Sequence, residues 1–176
     1  MQNVKIPLLG FAAASGTGKT TLLTQLIPLL KQHKLRIGLI KHSHHNFEID
    51  KPGKDSFRLR AAGAQQVMLV SSYRRAVITE FVPTKEVCLA DQLAVFEQSA
   101  LDLILVEGFR NEAFCKIELH RAALNQPLLC WEDENIIAVA SDVPLALPAK
   151  VQHLELNQPE TLAEFIVNYF NLKEKL

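Results

Sequence analysis

Short apolar runs recur along this 176-residue chain and alternate with segments of helical period. The runs at 6–12, 36–41, 101–108 and 136–142 lack the regular polar alternation of a half-exposed strand. Runs of this kind are typical of strands buried on both faces of a parallel sheet, so each predicts one such strand. A further run at 116–120 is a candidate for another strand.

The segments between these runs carry the pattern of helices. The leucine-rich segment 22–30 and the amphipathic segments 87–98 and 159–170 each predict one helix. A start signal at 54–56 predicts another helix, which runs to Gly63. Helices therefore separate most of the predicted strands, which is the order of a parallel α/β protein.

A predicted β-hairpin interrupts this alternation. The β-rich runs 66–71 and 75–81 flank the short segment 72–74, a pattern compatible with two antiparallel strands and a turn. We therefore expect an α/β fold in which a mostly parallel sheet is flanked by helices, with an added hairpin that could extend the sheet edge. The chain length suits one domain, so residues 1–176 are expected to form it.

Composition narrows the range of functions. The 19 basic and 19 acidic residues balance, so neither nucleic acid nor an anionic membrane is an expected partner. The three cysteines, Cys88, Cys115 and Cys130, are widely spaced, which argues against a disulfide framework or a cysteine zinc site. No apolar run approaches membrane-spanning length, and we find no signal-type apolar core at the start. We therefore expect a cytoplasmic protein.

The strongest chemical motif follows the first predicted strand and precedes the first predicted helix, the context that confirms a phosphate-binding loop. The motif comprises Ser15, Gly16, Thr17, Gly18, Lys19, Thr20 and Thr21. Its glycines let backbone N–H groups surround a phosphate, Lys19 supplies a charge at the β- and γ-phosphates, and Thr20 offers a hydroxyl to Mg²⁺. The usual first glycine is Ala13 here, at the strand end, where we expect alanine to be tolerated. The alternative is a glycine-rich turn that arose by chance.

Two later strands each deliver an acidic residue. Glu107 follows the apolar part of the run 101–108, in the manner of a Walker B strand. Ligands of parallel sheets bind beyond the carboxyl ends of the strands, so we expect Glu107 to face Lys19 and Thr20. There Lys19 and Glu107 are the catalytic candidates, with Glu107 holding a magnesium-bound water or orienting an attacking one. The alternative is a solvent-exposed glutamate.

Asp142 ends the run 136–142 and is a candidate reader of a guanine base. In many GTP-binding proteins with this kind of loop, an aspartate after a late strand accepts the N1 and N2 hydrogens of guanine. The full Asn-Lys-x-Asp pattern is missing, because Val139, Ala140 and Ser141 precede the acid. A helix or turn cap is therefore the alternative role for Asp142.

The loop 42–54 contains His42, His44, His45 and Asp50. Three roles stay open for it. The imidazoles could hold zinc or nickel for metal transfer, since closely spaced histidines form such sites. They could instead act together with Lys41 as hydrogen-bond donors to a nucleotide or an anionic substrate, or the loop could be solvated and carry no site.

Several of these segments together resemble the MobB family, the molybdopterin-guanine dinucleotide biosynthesis protein B family. The resemblance runs in order over nearly the whole chain, and it is carried by segments 15–21, 41–45, 50–56, 60–64, 105–109 and 140–144. The histidine loop followed by Lys-Pro-Gly-Lys-Asp-Ser at 51–56 is far more specific to the family than the phosphate loop alone.

The resemblance implies a P-loop NTPase fold and a homodimeric GTP-binding adaptor with weak GTPase activity. Such an adaptor assists the partner enzyme MobA in attaching GMP to molybdopterin, which is itself a candidate ligand. The resemblance assigns the GTP phosphates to 16–21, Mg²⁺ to Thr20 and Glu107, and the base to Asp142. It makes 42–55 a switch-like or pterin-facing segment, in which His44 and Asp50, beside Lys41, are candidate ligand-binding residues.

Two other functions stay open. A small-molecule kinase would use the same phosphate loop and acid for phosphoryl transfer to a hydroxyl. A nucleotide-dependent metallochaperone would use the loop 42–45 and would lose nickel or zinc when His44 and His45 are replaced by alanine. Both account for less of the chain than the resemblance to the MobB family does.

Overall fold

A computed structural model describes residues 4–43 and 46–172. In chain order its elements are β1 (Leu8–Ala13), α1 (Lys19–Gln32), β2 (Ile37–Lys41), α2 (Asp55–Ala61), β3 (Gln66–Val70), β4 (Arg75–Thr79), α3 (Leu89–Val95), β5 (Leu103–Glu107), β6 (Lys116–His120), β7 (Ile136–Ser141), β8 (Gln152–Glu155) and α4 (Pro159–Tyr169). Two short 3-10 turns at Ala122–Leu124 and Leu129–Trp131 lie between β6 and β7. The chain divides into two compact units, residues 1–42 with 88–176 and residues 43–87.

The first unit is built on a six-stranded sheet in which every neighbouring pair of strands is parallel. Its order is β2–β5–β1–β6–β7–β8, so β1 lies in the interior of the sheet. The loop that follows β1 therefore emerges between the carboxyl ends of β5 and β6. This sheet confirms the predicted parallel α/β fold.

Alternation along the strands divides the side chains between the two faces of the sheet. Leu9, Phe11, Leu105 and Ile117 belong to one large core, which also contains the buried leucines of α1 and the buried face of α4. On the opposite face, the 3-10 turn at 129–131 contributes to a smaller core beside β7. The sheet is therefore covered on both faces, which explains its continuous apolar runs.

The helix predicted at 87–98 is shorter in the structure, because α3 covers only Leu89–Val95. Phe96 is extended, and the buried side chain of Gln98 donates a hydrogen bond to the carbonyl of Leu93 at 2.8 Å. That bond satisfies a carbonyl of the last helical turn and ends the helix. Within the described residues, no helix has the length and apolar character needed to cross a bilayer.

The second unit, residues 43–87, contains α2 and the hairpin of β3 and β4. The two strands pair antiparallel from Gln66 opposite Thr79 to Val70 opposite Arg75. They form a separate two-stranded sheet, so the expectation that the hairpin extends the edge of the main sheet is wrong. Arg60 of α2 forms ion pairs with Glu48 before the helix and with Glu80 directly after β4, at 2.6 and 2.8 Å. These pairs connect the helix to both segments of the unit.

Candidate functional site

The loop after β1 presents backbone N–H groups at the start of α1. Gly18 is the residue before the helix and has φ of 96°, a left-handed conformation that favours glycine. No side chain caps the helix at this end. The first N–H groups of a helix have no partner within it, and they carry the positive end of its dipole. The start of α1 therefore offers several donors to an anion.

The side chains of the loop divide between its interior and its surface. Thr17 is buried, and its hydroxyl donates a hydrogen bond to the carbonyl of Ala14 at 2.8 Å. Its contribution to a ligand would therefore come from the backbone. Ser15, Gly16, Thr20 and Thr21 are exposed, and Lys19 is half-buried. The hydroxyl of Thr20 is consequently accessible to a ligand.

Glu107 ends β5 and meets two lysines from neighbouring elements. Its carboxylate lies 3.9 Å from Lys19 Nζ and 3.1 Å from Lys41 Nζ, and only 14% of its side chain is exposed. The parallel register places Lys41 directly opposite Glu107. The structure thus brings together three of the predicted site residues, with one acid between two cations beside the phosphate loop.

The turn after Glu107 is packed tightly against the end of β2. His42 donates its backbone N–H to the carbonyl of Glu107 at 2.8 Å, and its ring stacks on Phe109 with centroids 4.4 Å apart. Gly108, between Glu107 and Phe109 in the chain, has φ of 99°, and a Cβ added there would lie 2.6 Å from His42 Cβ. This packing holds the backbone of Glu107 in one position.

Asp142 follows β7 and contacts the segment after β6. Its Oδ1 accepts a hydrogen bond from the backbone N–H of Ala122 at 3.0 Å, and its Oδ2 lies 3.6 Å from Arg121 Nη1. The bond from Ala122 lowers the pKa of Asp142 below its usual value, and the charge of Arg121 acts in the same direction. The carboxylate is therefore ionised at neutral pH, and one of its oxygens serves as the cap of the 3-10 turn.

Sequence reasoning missed the polar residues of β6 and the arginine that follows it. Lys116, Glu118 and His120 alternate with apolar residues and share the sheet face opposite Ile117. Glu118 is buried and accepts hydrogen bonds from the backbone of Leu129 and Cys130 at 2.8 and 2.9 Å. Burial raises the pKa of Glu118 above its ordinary value. The period-two polarity of 116–120 is the signal that could have identified this row.

Arg121, directly after β6, lies against the phosphate loop. Its Nε donates a hydrogen bond to the carbonyl of Thr17 at 2.9 Å, and its Nη2 donates one to Asn157 Oδ1 at 3.5 Å. Together with the contact to Asp142, the guanidinium touches three loops. These loops follow different strands, so no local pattern in the sequence points to this arrangement.

Two further predicted residues, His44 and Asp50, belong to the loop 42–54. His44, like its neighbour His45, lies outside the described residues. Asp50 belongs to the second unit, where its Oδ1 accepts a hydrogen bond from the hydroxyl of Ser56 at 2.9 Å. In the described part of the chain, no cluster of three or more histidine, cysteine, aspartate or glutamate side chains is arranged to hold a metal ion.

Comparison with known proteins identifies the relatives of this chain. Residues 8–142 match the family model of MobB, molybdopterin guanine dinucleotide synthesis protein B. The chain is 50% identical over 165 residues to a molybdopterin-guanine dinucleotide biosynthesis adapter protein of Escherichia coli K12, covering 93% of each chain. It is 44% identical over 169 residues to a protein of the same name from Haemophilus influenzae, covering 96% of this chain and 92% of that one.

Solved structures agree on the fold. A crystal structure of Bacillus subtilis MobB superposes with a TM-score of 0.74 over 94% of this chain and 98% of that one, at 19% sequence identity. A MobB homologue from Bacillus stearothermophilus gives a TM-score of 0.68 over 94% and 99% of the two chains, at 22% identity. At these identities the structures are evidence for the fold alone.

Proposed function

The chain belongs to the MobB family of molybdopterin guanine dinucleotide synthesis proteins, and on that premise we propose that it is an adapter that binds GTP with Mg²⁺. Its relatives from Escherichia coli and Haemophilus influenzae are named as adapter proteins of this biosynthesis. We place this chain at the step in which a MobA-type partner enzyme attaches GMP to molybdopterin. The observation that carries the nucleotide proposal is the meeting of Lys19 and Glu107 at the uncapped start of α1.

The residues at this point suit a nucleotide phosphate and a hard cation. Backbone donors and Lys19 would hold the phosphates. The Thr20 hydroxyl and the Glu107 carboxylate are oxygen ligands of the kind that Mg²⁺ prefers, with Glu107 acting directly or through a bound water. When bound, Mg²⁺ would neutralise phosphate charge. Lys41 pairs with Glu107 and orients its carboxylate.

Binding measurements test the nucleotide proposal directly. We expect calorimetry with Mg²⁺ to give tighter binding of GTP than of ATP to the wild type, and loss of this preference in Asp142→Asn. Glu164→Gln, which replaces an exposed carboxylate on α4, is the control and should keep the preference. Equal binding of GTP and ATP by the wild type would contradict guanine recognition. An ATP preference with a phosphorylated small-molecule product would favour a kinase.

The adapter role is tested with a purified MobA-type enzyme. We expect the chain and GTP together to increase the yield of molybdopterin guanine dinucleotide, and Lys19→Ala to remove the increase while remaining folded. Single-turnover hydrolysis of GTP by the chain alone should be slow, in keeping with an adapter that is at most a weak GTPase. Fast hydrolysis, at the level of an activated GTPase, would contradict this role.

We also propose that the protein is a homodimer that pairs through residues 43–87. The large apolar side chains that this unit exposes include Met68, Leu69, Val70, Val77, Phe81 and Val82. A two-stranded hairpin is only marginally stable in water by itself, and such an apolar surface is typical of an interface. The three cysteines are free, which fits the cytoplasmic location that the composition predicts.

Light scattering tests the dimer. We expect the dimer mass for the wild type at micromolar concentration and a shift to the monomer mass in Val70→Lys. Val95→Lys is the matched control, because Val95 is 83% exposed on α3 in the first unit and Val70 is 74% exposed on β3. A monomer mass for the wild type, or a dimer mass for Val70→Lys, would contradict pairing through the hairpin.

A further inference from the structure

The guanidinium of Arg121 connects the phosphate loop to the candidate base-reading residue. Its Nε donates to the carbonyl of Thr17 at 2.9 Å, and its Nη1 lies 3.6 Å from Asp142 Oδ2. The next residue, Ala122, donates its backbone N–H to the other oxygen of Asp142 at 3.0 Å. Both carboxylate oxygens are therefore held by two consecutive residues of one segment, and the same segment holds the phosphate loop.

The contact with Thr17 sets the direction of a peptide group. The peptide between Thr17 and Gly18 is trans, so the N–H of Gly18 points away from the carbonyl that Arg121 binds. If this peptide flipped, its carbonyl oxygen would face the anion and repel it. A charged donor on the carbonyl opposes that flip, and it also polarises the peptide so that the N–H becomes a stronger donor.

The position of Arg121 distinguishes it from a residue that binds the phosphates. Its side chain covers Gly18, where the nearest atoms to an added Cβ are Arg121 Nη2 and Nε at 3.7 and 3.9 Å. The Nε donates to a carbonyl of the loop, on the side of the peptide opposite to the N–H. Its third contact, to Asn157 at 3.5 Å, reaches the loop after β8.

We propose that Arg121 is a positioning residue that holds the phosphate loop and Asp142 in one fixed arrangement, so that triphosphate binding and guanine preference depend on each other. This inference rests on the proposed function, because it takes a guanine nucleotide as the ligand. A planar guanidinium can donate in several directions at once, which an ammonium group cannot do in the same geometry. Arginine is therefore suited to join three loops.

Calorimetry with GTP, ATP and inorganic triphosphate, all with Mg²⁺, tests the proposal. Inorganic triphosphate reports on the loop without a base. We expect Arg121→Gln to weaken the binding of inorganic triphosphate about tenfold and the binding of GTP more than tenfold. The preference for GTP over ATP should therefore fall. Arg121→Lys should retain only part of the affinity and part of the GTP preference that Arg121→Gln loses.

Arg36→Gln is the matched control. Arg36 forms a two-bond pair with Asp102 at 2.9 and 3.0 Å, before β2 and at the opposite end of the strands. Its loss should lower the unfolding temperature without changing any of the three affinities. If Arg121 had only a structural role, Arg121→Gln would likewise lower the unfolding temperature and leave the three affinities unchanged. Thermal unfolding of every variant without ligand shows that the affinities refer to folded protein.

A double-substitution cycle isolates the link to Asp142. In an Asp142→Asn background, we expect Arg121→Gln to weaken the binding of GTP and of ATP by the same factor, because the preference for GTP is already lost. Equal losses for GTP and ATP in the single Arg121→Gln variant would overturn the proposal, as would unchanged binding of all three ligands. In both cases normal GTP binding by the wild type leaves the proposed function standing. A wild type that binds none of the ligands overturns both.

Discussion

Replacing Glu107 by glutamine should reduce the dependence of GTP binding on Mg²⁺. Without the cation, the carboxylate repels the incoming phosphates and occupies Lys19 and Lys41, with which it is paired at 3.9 and 3.1 Å. With the cation, the same carboxylate attracts Mg²⁺. Glu107→Gln removes both effects, so the variant should bind GTP more tightly in EDTA and gain less from Mg²⁺.

The distances set the size of this effect. A phosphate oxygen in contact with Lys19 would lie about 2.8 Å from its Nζ, and therefore at most about 7 Å from the carboxylate. Two unit charges at about 7 Å interact with roughly 0.6 kcal/mol in water and roughly 2.4 kcal/mol at an effective dielectric of about 20. Because the side chain of Glu107 is 14% exposed and therefore retains some contact with solvent, the interaction lies between these two values. We expect about 1 to 2 kcal/mol, or roughly tenfold in affinity.

The assay is calorimetry of GTP binding in Mg²⁺ and in EDTA, at the same ionic strength. The quantity compared is the dissociation constant in EDTA divided by the dissociation constant in Mg²⁺. This ratio should be about tenfold smaller in Glu107→Gln than in the wild type. Glu164→Gln on α4 controls for the loss of one negative charge and should keep the wild-type ratio. An unchanged ratio in Glu107→Gln would refute the assignment of Glu107 to Mg²⁺ and phosphate.

The remaining predictions concern stability. Because burial raises the folded pKa of Glu118, its contribution to stability is present below the unfolded pKa and is lost as pH rises through the folded pKa. The wild type should therefore lose stability relative to Glu118→Gln as pH rises in urea titrations from about 4.5, and the opposite trend would contradict this. Gly108→Ala should lower the unfolding free energy by about 2 kcal/mol or more, because it combines a positive φ with a 2.6 Å clash. Gly16→Ala, at φ of 81° with no atom within 4 Å of an added Cβ, should lower the unfolding free energy by less. An equal loss in the two variants would show that the clash at Gly108 does not contribute. Lys116→Met should cost about 2 to 3 kcal/mol by leaving the carboxylate of Asp133 without its 2.7 Å partner. Adding Asp133→Asn should recover part of that loss, and no recovery would mean that the lost packing of the lysine stem dominates.

Much of the fold could be predicted from the sequence, because it depends on local pattern. A strand buried on both faces must be apolar throughout, and residues 101–108 and 136–142 carry that pattern. The strand β8 was missed because Gln152–Glu155 is short and polar at most positions. The separate hairpin sheet was also missed, since a sequence pattern predicts strands but does not say which strands pair.

The sequence by itself determined the glycine-rich loop after β1, with its lysine, and the acid at the end of β5. Glycine conformations, a lysine beside them and an apolar strand before an acid are properties of neighbouring residues, and the parallel fold then places both groups at one edge. Only the tertiary structure decided that Lys41 pairs with Glu107 and that Arg121 joins Thr17 to Asp142. These contacts connect residues far apart in the chain, and their geometry depends on the order of the strands in the sheet.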